Sequence, residues 1–78
     1  MPIAVHTKFP IQVRIAEHKG KGEFTEYRLW SHHKKNDSNA KRAFKEAIRD
    51  YPASLVVLHD TATGQDLDAH FDAPEGDN

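Results

Sequence analysis

The sequence predicts an α+β domain: a four-stranded, largely antiparallel sheet with one helix packed on a face, in the order strand, strand, helix, strand, strand. Three observations carry that prediction. Residues 37–51, DSNAKRAFKEAIRDY, place Ala40, Ala43, Phe44, Ala47, Ile48 and Tyr51 on one stripe at helical spacing. Ile11, Val13 and Ile15 alternate with Gln12, Arg14 and Ala16 ahead of a glycine turn, the pattern of a half-buried strand. Leu55-Val56-Val57-Leu58 is a short continuous apolar run, as expected of a strand in the middle of a small sheet.

The elements follow in order. Met1 to Pro10 contains Ile3 and Val5, enough for a short edge strand, with Pro2 and Pro10 limiting its pairing. The strand from Ile11 ends near His18, and Lys19-Gly20-Lys21-Gly22 reverses the chain, its two lysines making a cationic tip. Glu23 to Ser31 has the aromatic and β-branched content of a second strand, antiparallel to the first. Thr25, Tyr27 and Leu29 lie on one side of it and Phe24, Glu26, Arg28 and Trp30 on the other. Both sides carry aromatic rings, so alternation leaves open which one the helix covers.

The helix is marked at both ends. Asp37 or Ser38 can accept from a free amide of its first turn, and Pro52 cannot continue its ladder. Three alanines in its buried stripe suit close packing on a sheet. After the apolar run, Asp60 to Gln65 supplies a turn with Gly64 free to take a positive φ, and Leu67, Ala69 and Phe71 alternate with Asp66, Asp68 and His70 in a last strand. A single domain over residues 1–72 is expected, with 73–78 a frayed acidic tail.

At 78 residues the chain buries only about 60% of its unfolded surface, which disfavours a deep enclosed active site. It has no cysteine, so disulfides, thiolate nucleophiles and cysteine-ligated zinc are excluded. No apolar run approaches the ~20 residues of a membrane span, and the start lacks a basic leader with a long apolar core. The expectation is a soluble intracellular protein with no membrane partner. Its net charge of −1 conceals two unlike halves. All 11 Lys and Arg lie between Lys8 and Arg49, where five acids leave six positive charges in excess; residues 50–78 hold seven acids and no Lys or Arg. That asymmetry points either to an electrostatic partner or to neutralisation within the fold.

Six histidines and several aspartates invite a catalytic or metal reading. His32 and His33 are adjacent, so their side chains diverge in an extended segment. His59 and His70 could face each other across the final hairpin, and Asp66, Asp68 and His70 fall on one side of a regular strand. No HExxH or comparable metal spacing is present, however, and exposed or structural side chains account for these residues more simply. The serines lack a nucleophile elbow, and Gly20 and Gly22 do not open a phosphate-binding helix. No cofactor, metal or small-molecule substrate is expected. Trp30 beside Arg28 could stack a base, but no aromatic pattern repeats on a second strand, and a core tryptophan is the better-supported reading.

The basic residues carry the most information. Lys41, Lys45 and Arg49 step by four along the helix to form a ridge, which Arg42, Lys34 and Lys35 extend at its N-terminal end; Lys19 and Lys21 add the turn. Lysines at the positive end of the helix dipole oppose folding, a hint that binding keeps them there. The plain alternative is a solvated helix face on which Arg42 pairs with Glu46.

Ser38-Asn39-Ala40-Lys41-Arg42, then Val56-Val57-Leu58-His59-Asp60, then Gly64 and Leu67, resemble the layout of small phage-encoded anti-CRISPR proteins that act on type I surveillance complexes. In those proteins two strands precede a helix with an S-x-A-K-R start and a V-x-H, hairpin, G-x-x-L unit. The resemblance covers about residues 38–67; the N-terminal third matches only in being two strands, and the acidic end lies outside the pattern. It implies stoichiometric inhibition without enzymatic chemistry, in the cytoplasm of the bacterial host during infection, by a monomer or weak dimer. The protein would sit on protein subunits of the surveillance complex's backbone and keep target DNA from the guide, with Lys41 and Arg42 among the contacts. The alternative is a small nucleic-acid-binding module using the same cations.

Overall fold

A computed structural model describes residues 7–72. The elements are β1 (Ile11–Ala16), β2 (His18–Gly20), β3 (Glu23–Phe24), β4 (Arg28–His33), α1 (Ser38–Asp50), β5 (Leu55–Asp60) and β6 (Gln65–His70). The expected architecture is present: an antiparallel sheet in the order β4-β1-β5-β6 with α1 packed against it, and a small β2–β3 hairpin besides. Ile3 and Val5, and the tail 73–78, lie outside the described residues.

Why α1 forms where it does is visible at its ends. The Lys34 carbonyl accepts from the Asp37 amide at 3.2 Å across a turn whose third residue, Asn36, takes φ +61°, a conformation asparagine tolerates. Asp37 is then the N-cap, its Oδ1 accepting from the Asn39 amide at 2.9 Å. At the other end the Tyr51 amide donates to Ala47 at 2.8 Å just before Pro52. Asp37→Ala is expected to lower stability by about 1 kcal/mol, read as a drop in the urea midpoint, while Asp37→Asn keeps the cap and most of the stability.

The helix buries Ala40, Ala43, Phe44 and Ala47 against Ile11, Val13, Ile15, Val56 and Leu58, with Trp30, Ile48 and Tyr51 closing the edge of this core. Trp30 therefore lies on the helix side and Tyr27 and Leu29 face away, which settles the choice that alternation left open. A bulge does it. Val13 pairs with Ser31 but Arg14 pairs with Leu29, so Trp30 is an extra residue turned toward the core. The second strand is also split: residues 25–27 leave the ladder, and Phe24 stands edge-on to Phe71 at 4.9 Å, with His18 within 5.2 Å of both rings.

Strand β1 is buried on both faces, not one. Gln12 is 0% exposed, flanked by His32 and His59 on the neighbouring strands, and its Oε1 accepts from Arg14 Nε at 2.9 Å. An inner position between β4 and β5 accounts for this, because side chains from both neighbours close over the strand.

Candidate binding surface

The basic ridge exists as a surface. Lys41, Arg42, Lys45 and Arg49 are all exposed along α1, and with Ser38 and the half-buried Glu46 they line an open groove of about 490 Å³. The helical period sets that arrangement: with the alanine and Phe44 stripe pressed on the sheet, positions stepping by four from Lys41 must face solvent. Arg42 does not pair with Glu46. Among the described residues the only ion pair on α1 joins Arg49 to its neighbour Asp50 at 3.3 Å, with side chains 75% and 49% exposed. Such an exposed pair contributes little, so the guanidinium stays available to a partner.

The candidate cations do not all gather. Lys34 and Lys35 lie in the turn before Asp37, at the N-terminal end of α1, and Lys35 shares a second groove with Lys41. Lys19 and Lys21 sit elsewhere. They crown the β2–β3 tip, which continues β1 beyond Ala16, about 17 Å of strand away from the Ile11 end where α1 begins. At that tip Gly20, Lys21 and Gly22 take φ values of +95°, +57° and +78°, so Lys21 holds a left-handed conformation that its Cβ disfavours. The surface assembled on the helix is thus Lys34, Lys35, Lys41, Arg42, Lys45 and Arg49, with Lys19 and Lys21 apart from it on the β2–β3 tip, beyond the Ala16 end of β1.

Apart from Asp50, which pairs with Arg49, the acidic half of the chain places no carboxylate in an ion pair with that surface among the described residues. Asp60 is buried, and its Oδ1 accepts from the Ala62 amide at 2.9 Å within the turn. Asp66 bonds His59, Oδ1 to Nδ1 at 2.6 Å. Positive charge therefore collects on the helix while Asp66 and Asp68 lie on the outer strand β6.

The residues weighed for chemistry are scattered. The expectation that Asp66, Asp68 and His70 share a side fails at a second bulge: Leu58 pairs with Asp68 but His59 pairs with Asp66, so Leu67 is extra and Asp66 turns to the face away from the helix. His70 pairs with Val56 and does not face His59. Among the described residues no group of three His, Asp or Glu is arranged to hold a metal ion. On the sheet face away from the helix, burial raises the Tyr27 phenol above its usual value, with nearby Asp66 adding to the rise and Arg14 opposing it.

No protein-family model, curated protein or solved structure matches the chain. The surface must be interpreted from its own residues. Among those described, no helix is long and apolar enough to cross a membrane.

One titrating group adjoins this surface. His33, whose Nε2 lies 2.9 Å from Ser31 Oγ, has its pKa pushed below the usual histidine value by burial, with Asp37 raising it and His32 lowering it. The unfolded chain then takes up the proton more readily than the folded one. The stability contributed by neutral His33 is complete above the unfolded value of about pH 6.5 and is lost as pH falls below it through the lowered folded-state value. The melting temperature is expected to fall between about pH 7.5 and about pH 5.5, and to fall less in His33→Gln.

Proposed function

We propose that the protein is a stoichiometric inhibitor that docks, without chemistry, through the cationic face of α1 onto an anionic surface of a macromolecular partner. The resemblance of residues 38–67 to anti-CRISPR proteins names that partner as a type I CRISPR surveillance complex. The chain would bind its backbone subunits and block recognition of target DNA, as a phage product acting in the host cytoplasm as a monomer or weak dimer. The observation that carries the reading is the row Lys41, Arg42 and Lys45, exposed on a capped helix and without an ion pair among the described residues. Unpaired cations at fixed spacing steer an anionic partner and set its register, and the helix fixes their backbone before binding, so that only side-chain rotamer freedom is lost on docking.

The test is a pull-down of purified type I surveillance complexes by the tagged chain, followed by a gel shift of the complex with target DNA. Retention in a fixed molar ratio with loss of the shifted band is the expected result. The competing outcome, binding of free duplex or single strand, carries its own signature: each neutralised phosphate adds about −0.7 to −0.9 to the slope of log affinity on log salt. Such binding with no retained complex would replace the inhibitor reading by a nucleic-acid-binding one.

A further inference from the structure

The helix does not reach across the whole sheet. Its main contacts are with β1, β5 and β4, which leaves the inner side of β6 beyond its edge. Between the first turn of α1 and the start of β6 lies a second groove, of about 330 Å³. Ile11, Ala40 and Leu58, each 4% exposed, contribute to its floor, and Leu67 forms its outer wall with 54% of its surface exposed, more than any other large apolar side chain described. Leu67 is the extra residue of the β6 bulge, so the break in register is what turns it toward the helix side.

The rim of this groove holds two cations and two carboxylates that differ in exposure, Lys35 and Lys41 being exposed, Asp37 half-buried and Asp60 buried. Lys35 and Lys41 have no ion pair among the described residues, whereas the two carboxylates beside them are engaged, Asp37 as the N-cap and Asp60 with the Ala62 amide. An apolar floor under two available ammonium groups complements an apolar side chain that carries a negative charge next to it. Single-stranded bases, by contrast, are held by stacking on aromatic rings, and among the described residues no aromatic one lines this groove.

We propose that the Leu67 groove is the recognition pocket of the binding surface and that it takes a protein segment presenting one large apolar side chain beside an Asp or Glu. This rests on the reading of α1 as the docking face and adds to it the partner's class, a polypeptide. Lys41 borders both grooves, so one partner can span ridge and pocket.

The full chain, labelled with ¹⁵N, is titrated with two blocked peptides, EDEFEDE and EDEAEDE, and with a short oligothymidylate. The phenylalanine peptide is expected to move the amide signals of Ala40, Lys41, Leu58 and Leu67 and to bind about tenfold tighter than the alanine peptide, and Leu67→Ser is expected to erase that difference. Equal binding of the two peptides, no movement at those amides, or movement caused by the oligothymidylate alone overturns the proposal. In the pull-down, retention that survives Leu67→Ser but not Lys41→Glu with Lys45→Glu removes the pocket and leaves the ridge. Retention that ignores the ridge reversal removes the docking face itself.

Discussion

Phe44→Ala is expected to cost about 3–5 kcal/mol, a large share of the domain's total stability, and to lower its urea midpoint sharply. Phe44 is 6% exposed and is the one large side chain that α1 sinks fully into the core; its helical neighbours there are Ala40, Ala43 and Ala47. The alanines let the helix backbone approach the sheet closely, and being small they cannot fill the space that the ring vacates. The lost transfer free energy and the residual cavity therefore add. A domain of 78 residues has total stability of about 4–12 kcal/mol, without disulfides to hold the remainder together. Urea unfolding followed by circular dichroism reads the result, and Leu67→Ala is the control. Its side chain is already 54% exposed, so its midpoint should stay close to that of the unsubstituted protein. A Phe44→Ala protein that melted like the control would mean that α1 is not seated on the sheet through this residue.

Much of this architecture was legible in the chain, and what was not has a common physical origin. Periodicity identified α1 because a helical stripe is redundant: Ala40, Ala43, Phe44 and Ala47 repeat the same information over about two turns, and Asp37 and Pro52 mark where it stops. The run Leu55 to Leu58 announced an inner strand because its Val56, Val57 and Leu58 are buried whichever way they point. Alternation is less robust, because one extra residue reverses the parity of everything beyond it. That happens on both outer strands, at Trp30 and at Leu67. The first bulge puts Trp30 under the helix while its neighbour Leu29 faces away. The second parts Asp66 from Asp68 and creates the apolar groove. Neither carries a glycine or proline that would mark it in the sequence. The site was legible to the same degree: the ridge follows from spacing within α1, whereas the placement of Lys19 and Lys21 on a separate hairpin follows only from the way the second strand is split.

Reversing the ridge charges, Lys41→Glu with Lys45→Glu, is expected to abolish retention of the partner while leaving the circular-dichroism melt within a few degrees. The two effects separate because these side chains take part in docking and not in packing. Both are exposed and without an ion pair among the described residues, so removing them breaks no interaction within the fold. One local change even favours the helix, since a glutamate at position 41 lies near the positive end of its dipole, where Lys41 is unfavourable. For binding the reversal acts twice, removing two attractions and placing two negative charges against an anionic surface. Like charges brought together across an interface cost several kcal/mol, enough to reduce affinity by a thousandfold or so. Neutral Lys41→Gln with Lys45→Gln should fall between the two, with a shallower salt dependence and a slower association rate, because steering weakens while no repulsion is introduced. Retention by the Glu pair equal to that of the unsubstituted chain, at a normal melting temperature, would transfer the docking face from α1 to another surface of the molecule.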